Sequence, residues 1–164
     1  MIQTLISHTE ERNQEWYQNI DWKPDNNLPN TIVFDIDGTL AHVNGKRGHF
    51  DWDNVDVDVV DEKVRETLRI HKASGYKIII VTGRDGSCEE LTKMWLTENG
   101  IHFNYLYIRP ADNLDKDTVI KKRIFDEHIN GKFNVLGVYD DRNQVVSMWR
   151  ELGLKCFQVI EGNY

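Results

Sequence analysis

Asn30-Thr31-Ile32-Val33-Phe34-Asp35-Ile36-Asp37-Gly38-Thr39 decides the fold. A β-branched run, Thr31 to Ile36, carries the chain straight into two aspartates and a glycine. Four further short apolar runs follow at Lys77–Val81, Tyr105–Ile108, Val135–Tyr139 and Cys156–Ile160. Helical patterns separate them at Asp61–Ser74, Cys88–Asn99, Asp117–Ile129 and Asn143–Leu152. Gly75, Gly100, Gly131 and Gly153 stand just past these segments, where a left-handed residue ends a helix at least cost. Strands alternating with helices of ten or more residues imply parallel pairing, right-handed crossovers and helices on both faces. The expected fold class is therefore α/β: an open, doubly wound, mainly parallel sheet with no large cap domain.

Ligands of such sheets lie beyond the carboxyl ends of the strands. There the first run meets Asp35 and Asp37, the second Thr82-Gly83-Arg84, and the fourth Asp140-Asp141-Arg142. Lys121 falls near the start of the helix between the third and fourth runs. Taken singly, each motif has an ordinary reading: Asp-Gly turns, helix caps, a solvated lysine. Together they bring four acids, a hydroxyl and an amine to one rim. Carboxylates so crowded repel unless a divalent cation joins them, and all-oxygen donors beside a lysine favour Mg²⁺. A calcium loop does not fit, because the third acid and the glycine are missing at the required offsets.

Asp35-Ile36-Asp37-Gly38-Thr39, Thr82, Lys121 and Asp140-Asp141, in that order, resemble the four motifs of the haloacid dehalogenase-like superfamily. The second aspartate, Asp37, is similar to the phosphohydrolase branch. Tyr139 to Arg150, Asn44-Gly45-Lys46-Arg47-Gly48 and Lys116-Asp117 are similar to the phosphatase domain of the bacteriophage polynucleotide kinase–phosphatase. The resemblance implies that Asp35 attacks a phosphomonoester to give an aspartyl-phosphate, and that Asp37 acts as general acid and then base. It implies Mg²⁺ on Asp35, Asp140 and the backbone carbonyl of Asp37, with Asp141 adjacent. Thr82 and Lys121 would donate to the phosphoryl oxygens. Gly38, Thr39, Gly83, Arg47, Arg84 and Arg109 complete the expected substrate contacts, and Lys46 and His42 lie close enough to join them.

About twenty residues separate Thr39 from the helix at Asp61, with a hairpin turn suggested at Asn44-Gly45. An uncapped rim suits a large substrate, so the expected substrate is the 3′-phosphate of a nucleic acid end, DNA or RNA. A nucleotidase acting on free mononucleotides is the alternative enzyme. A non-catalytic phospho-accepting signalling domain is the alternative class, although there the acidic pair precedes the phosphorylated aspartate. No G-x-x-x-x-G-K-[ST] loop occurs, so no kinase activity is implied.

The remaining composition agrees. The 164 residues carry 20 basic and 27 acidic side chains, a net charge of −7, which excludes a protein that coats nucleic acid or membranes by bulk positive charge. Hydrophobic residues at 40% allow a sizeable core and exclude disorder. Two distant cysteines, Cys88 and Cys156, read as reduced thiols; with no signal peptide or membrane span in view, a cytoplasmic protein is expected. Residues 1–29 read as an extension with a short helix near Glu10–Gln18, and 30–164 as the phosphatase domain. Leu91, Met94 and Trp95 are expected to share a core face, as are Val145, Val146, Trp149 and Leu152. The acidic run Asp51, Asp53, Asp56, Asp58 and Asp61 reads as an exposed strand or loop leading into a helix.

Overall fold

The computed structural model describes residues 22–163. The helix expected near Glu10–Gln18 lies outside them. Strands β1 (Asn30–Phe34), β4 (Lys77–Asp85), β5 (Tyr105–Arg109), β6 (Asn134–Arg142) and β7 (Cys156–Gly162) form one sheet in the order β5-β4-β1-β6-β7. Every pairing in it is parallel. Helices α1 (Glu62–Ala73), α2 (Glu89–Glu98), α3 (Asp117–Ile124) and α4 (Asn143–Glu151) connect these strands. A wider π turn continues α3 from Phe125 to Ile129. The four glycines expected to end helices have φ between +65° and +89°.

Alternation along the strands divides the core in two. Ile32 and Phe34 of β1 with Ile78 and Ile80 of β4 pack under α1 and α2, against Val64, Leu68, Trp95 and Leu96. Val33, Ile79, Val81 and Val138 face the other way, under Ile120, Ile124, Val145 and Trp149 of α3 and α4. Trp22 is buried in this second cluster, so the chain ahead of β1 already contributes to the core. The α4 face is as expected. On α2 the buried stripe is Thr92, Trp95 and Leu96, and Met94 is exposed, because its position points about 100° away from Trp95 on the helix. Cys88 and Cys156 are both free and buried; burial, joined by the Asp140 charge, pushes the Cys156 thiol up to about 12.

Between β1 and α1 the chain makes a two-stranded antiparallel ribbon, β2 (Ala41–His42) against β3 (Val59–Val60), and a 3₁₀ turn at Trp52–Val57. Asn44 and Gly45 do form a turn, with φ of +49° and +71° and Lys46 N–H donating to Val43 C=O. It does not close a hairpin: the partner of β2 lies at 59–60. Asp61 caps α1, its Oδ1 accepting the amides of Lys63 and Val64 at 3.0 Å, while Oδ2 meets His42 Nε2 at 2.9 Å. Partial burial works against its charge, but these hydrogen bonds outweigh that and hold the Asp61 carboxyl below its usual range. Its contribution is thus present above the ordinary carboxylate pKa and fades as pH falls through the depressed one. Asp61→Ala is expected to cost about 1 kcal/mol at neutral pH, read by urea unfolding, and less at pH 3. An equal cost at both pH values would refute the charge-based account.

Candidate active site

The sheet order reverses about β1, whose carboxyl end lies between those of β4 and β6. This is the crevice where open α/β sheets bind ligands. Asp35 follows β1 directly and its amide donates to Tyr139 C=O at 3.0 Å, which sets it beside Asp140 on the next strand. The loop beyond is tight: Ile36 C=O accepts the amides of Thr39, Leu40 and Ala41, and Gly38 takes φ +86°, a conformation that costs a glycine least. The other two motifs lie at irregularities of the parallel ladder. The β4–β5 register shifts between Thr82 and Asp85, and the β6–β7 register between Asp140 and Arg142. Such bulges re-aim side chains at strand ends.

Asp35, Asp140 and Asp141 are buried, and a carboxylate oxygen from each falls within 4.8 Å of the other two. Lys121 Nζ reaches over from α3 to donate to Asp35 Oδ1 at 2.7 Å and Asp140 Oδ2 at 2.9 Å. Asp140 is held further by the amides of Asp141 and Arg142 on Oδ1 and by Trp149 Nε1 on Oδ2. Burial drives the Asp35 carboxyl well above its usual pKa; Lys121 opposes this, while Asp140, Asp141 and Asp117 reinforce it. Burial works against the Lys121 charge too, yet Asp117, Asp140 and Asp35 raise it well above its usual value, so the ammonium persists. Three buried carboxylates beside one ammonium make an all-oxygen donor set of a kind that fits a hard divalent cation.

A cavity of about 990 Å³ opens onto these groups. Asp35, Asp37, Gly38, Gly83, Lys121 and Asp141 are in its wall, as are His42, Arg47, Arg109, Asp117 and Arg142. Thr82 is fully buried, its hydroxyl oxygen accepting the Arg84 amide at 3.2 Å, and Thr39 Oγ1 donates to Asp141 at 3.4 Å. Neither is in the cavity wall. Lys46 is exposed outside the cavity wall.

The sequence model of the polynucleotide kinase PNKP phosphatase domain matches residues 29–164. The chain belongs to this family. Its fold is thus that of a haloacid dehalogenase-like phosphatase domain. A chain named as a bifunctional polynucleotide kinase/RNA ligase, from Autographa californica nuclear polyhedrosis virus, is 34% identical over an alignment of length 132 that covers 76% of this chain and 18% of the viral one. A component of the Pnkp1/Rnl/Hen1 complex superposes with a TM-score of 0.84 at 38% identity, over 90% of this chain and 52% of that one. An uncharacterised Listeria monocytogenes protein shares the fold, with a TM-score of 0.58 at 22% identity over 79% of this chain and 76% of that one. The chain thus spans about half or less of the length of the viral chain and of the Pnkp1/Rnl/Hen1 component.

Within this PNKP-type domain the arginines do something the sequence reading did not anticipate. Arg84 is fully buried and Arg47 nearly so, and neither guanidinium stands open to receive a phosphate. Arg84 Nε and Nη2 grip the Asp37 carboxylate at 2.9 Å, Arg47 Nη2 adds a bond at 3.1 Å, and both arginines bind Asp58, at 2.6–2.7 Å. Burial opposes the Arg47 charge, but Asp58 and Asp37 raise its pKa above the usual value. The Asp37 carboxyl is thus tied to guanidinium groups and stands apart from the Asp35–Asp140–Asp141 group.

Asp58 is therefore a correction: the acidic run is exposed in part, but this member is buried between two arginines, with its backbone C=O accepting from Trp95 Nε1. Only the approach of cations distant in sequence could have marked it. Arg109 spends its Nε on Gly83 C=O and its Nη1 on Asn113 and Asp115 C=O, so it staples the rim of the cavity. Asp117 is a second unassigned acid: its Oδ1 is buried without a hydrogen bond, and Oδ2 lies 3.6 Å from both Lys121 and Arg142. A β-carbon at Gly83 would lie 2.1 Å from Asp117 Oδ1, so any larger residue here would displace the Asp117 carboxylate.

Proposed function

We propose that this domain is a Mg²⁺-dependent phosphomonoesterase that removes the 3′-phosphate from polynucleotide ends through an aspartyl-phosphate. One observation carries the reading: buried Asp35, Asp140 and Asp141 each bring an oxygen within 4.8 Å of the others, Lys121 bonds two of them, and Asp35, Asp141 and Lys121 line one cavity. Asp35, Asp140, Asp141 and the Asp37 carbonyl would hold the cation, which supplies charge neutralisation for the acids and the phosphoryl oxygens.

Asp35 attacks phosphorus in line as the ester P–O bond breaks, and Asp37 gives its proton to the departing alkoxide. Asp37 then takes a proton from the water that attacks the phosphorus of the aspartyl-phosphate, releasing inorganic phosphate and restoring Asp35. Arg84 and Arg47 keep the Asp37 carboxyl aimed at the leaving oxygen in both steps. Lys121 neutralises the attacking carboxylate and a phosphoryl oxygen, and the backbone at Gly38 and Gly83 flanks the phosphate.

The substrate class is supported by the family and by relatives named as a polynucleotide kinase/RNA ligase and as part of an RNA repair complex. The chain between Thr39 and α1 forms only a short ribbon and turn, which leaves the rim open to a polymer. Phosphate release should be compared for 3′-phosphorylated and 5′-phosphorylated RNA and DNA oligonucleotides and for free mononucleotides, with Mg²⁺ and with chelator. Fastest release from a 3′ end, abolished by chelator, is the expected result. Equal or faster use of mononucleotides would make the protein a nucleotidase, and a lasting phosphoprotein without turnover would make it a signalling domain.

A further inference from the structure

Among the described residues, the two most exposed large hydrophobic side chains are Leu114 and Phe50, 96% and 82% exposed. They come from different loops, yet both belong to the wall of the cavity that holds Asp35 and Lys121. Phe50 stands edge-on to Trp52, with ring centroids 6.0 Å and planes 77° apart, and Trp52 is in the same wall. Apolar faces left in water in the wall of a charged site carry a solvation cost that contact with a ligand would relieve.

A phosphate group gains nothing from them, because its partners lie at the floor. With phosphorus at Asp35, the alcohol half of the ester must run outward along the cavity wall. The chemistry that suits this stretch of wall is a flat ring with a polar rim, since base-on-aromatic stacking is strong and tolerant of sequence. The loop is also held firmly enough to serve as a platform. Arg47, just ahead of Phe50, and Asp58, just beyond Trp52, are joined by two hydrogen bonds of 2.7 and 2.6 Å.

We infer that Phe50 and Trp52, with Leu114 elsewhere in the same wall, form a stacking platform for the base of the 3′-terminal nucleoside. The platform deepens the phosphatase reading above and rests on it. It sets substrate preference and takes no part in the chemical steps.

The test uses oligonucleotides whose 3′-phosphate is carried by either an intact terminal nucleoside or an abasic deoxyribose. The expected kcat/KM favours the intact end by about tenfold or more, mainly through KM. In Phe50→Ala the intact-to-abasic ratio should fall toward one, and Phe50→Trp should restore it. Circular dichroism should show Phe50→Ala folded, since the side chain is largely in solvent. Equal rates on the two ends with the unmodified protein would overturn the inference, and so would a Phe50→Ala that loses the same factor on both. If neither end is hydrolysed, the phosphatase reading itself fails. Stacking is then judged by tryptophan fluorescence with the same two oligonucleotides. Quenching by the intact end alone, absent in Trp52→Phe, supports the platform; equal quenching by both ends sinks it. A Phe50→Ala that alters sedimentation while leaving the ratio intact would make the patch an interface and end the proposal.

Discussion

Asp35→Asn is expected to lower phosphate release by about 10⁴-fold or more while leaving the domain folded. An amide cannot attack phosphorus, but it keeps nearly the same shape. Its carbonyl oxygen can still accept the Lys121 bond that Asp35 Oδ1 accepts at 2.7 Å. The substitution also removes a charge that burial and the neighbouring acids Asp140, Asp141 and Asp117 all oppose. The midpoint of thermal unfolding in chelator should therefore equal or exceed that of the unaltered protein. A variant that turns over substrate at anything near the original rate would remove Asp35 from the role of nucleophile. One that fails to fold would show that its charge, and not only its shape, is required by the structure.

Lys121→Met carries the largest expected stability effect. Methionine roughly replaces the alkyl stem, so what is lost is the ammonium bonded to Asp35 and Asp140 and lying 3.6 Å from Asp117. Buried carboxylates without that partner should cost about 3–5 kcal/mol, a fall of about 10 °C in unfolding midpoint measured in chelator. Added Mg²⁺ should recover part of that loss, because a cation that binds only the folded acids stabilises the fold by mass action. If Mg²⁺ leaves the midpoint of both proteins unmoved, the three acids are not its ligands.

The order of apolar runs and helix stops was enough to read the parallel sheet, because β1, β4 and β6 are covered on both faces and leave little room for polar residues. The convergence of Asp35, Asp140, Asp141 and Lys121 was legible for a related reason. Each follows or flanks a buried element whose direction the topology dictates. What could not be read was the pairing of charges. Asp58 lies 11 residues from Arg47 and 26 from Arg84, and in sequence it is one acid among several. The arginines beside the first two motifs looked available for phosphate, and only the fold turns them inward onto Asp37 and Asp58. Met94 shows the same limit on a smaller scale. Its hydrophobicity suggested burial, while the angular position on α2 put it in water.

The four-way clasp of Arg47, Asp58, Arg84 and Asp37 ties the segment after β2 to the end of β4. Swinging that segment aside would separate opposite charges away from solvent, so this wall behaves as masonry and not as a door. If the substrate is a strand end, as proposed, it would then be admitted from the open side, without hinge motion here. On the proposed reading, turnover would be timed by how fast the dephosphorylated strand slides away.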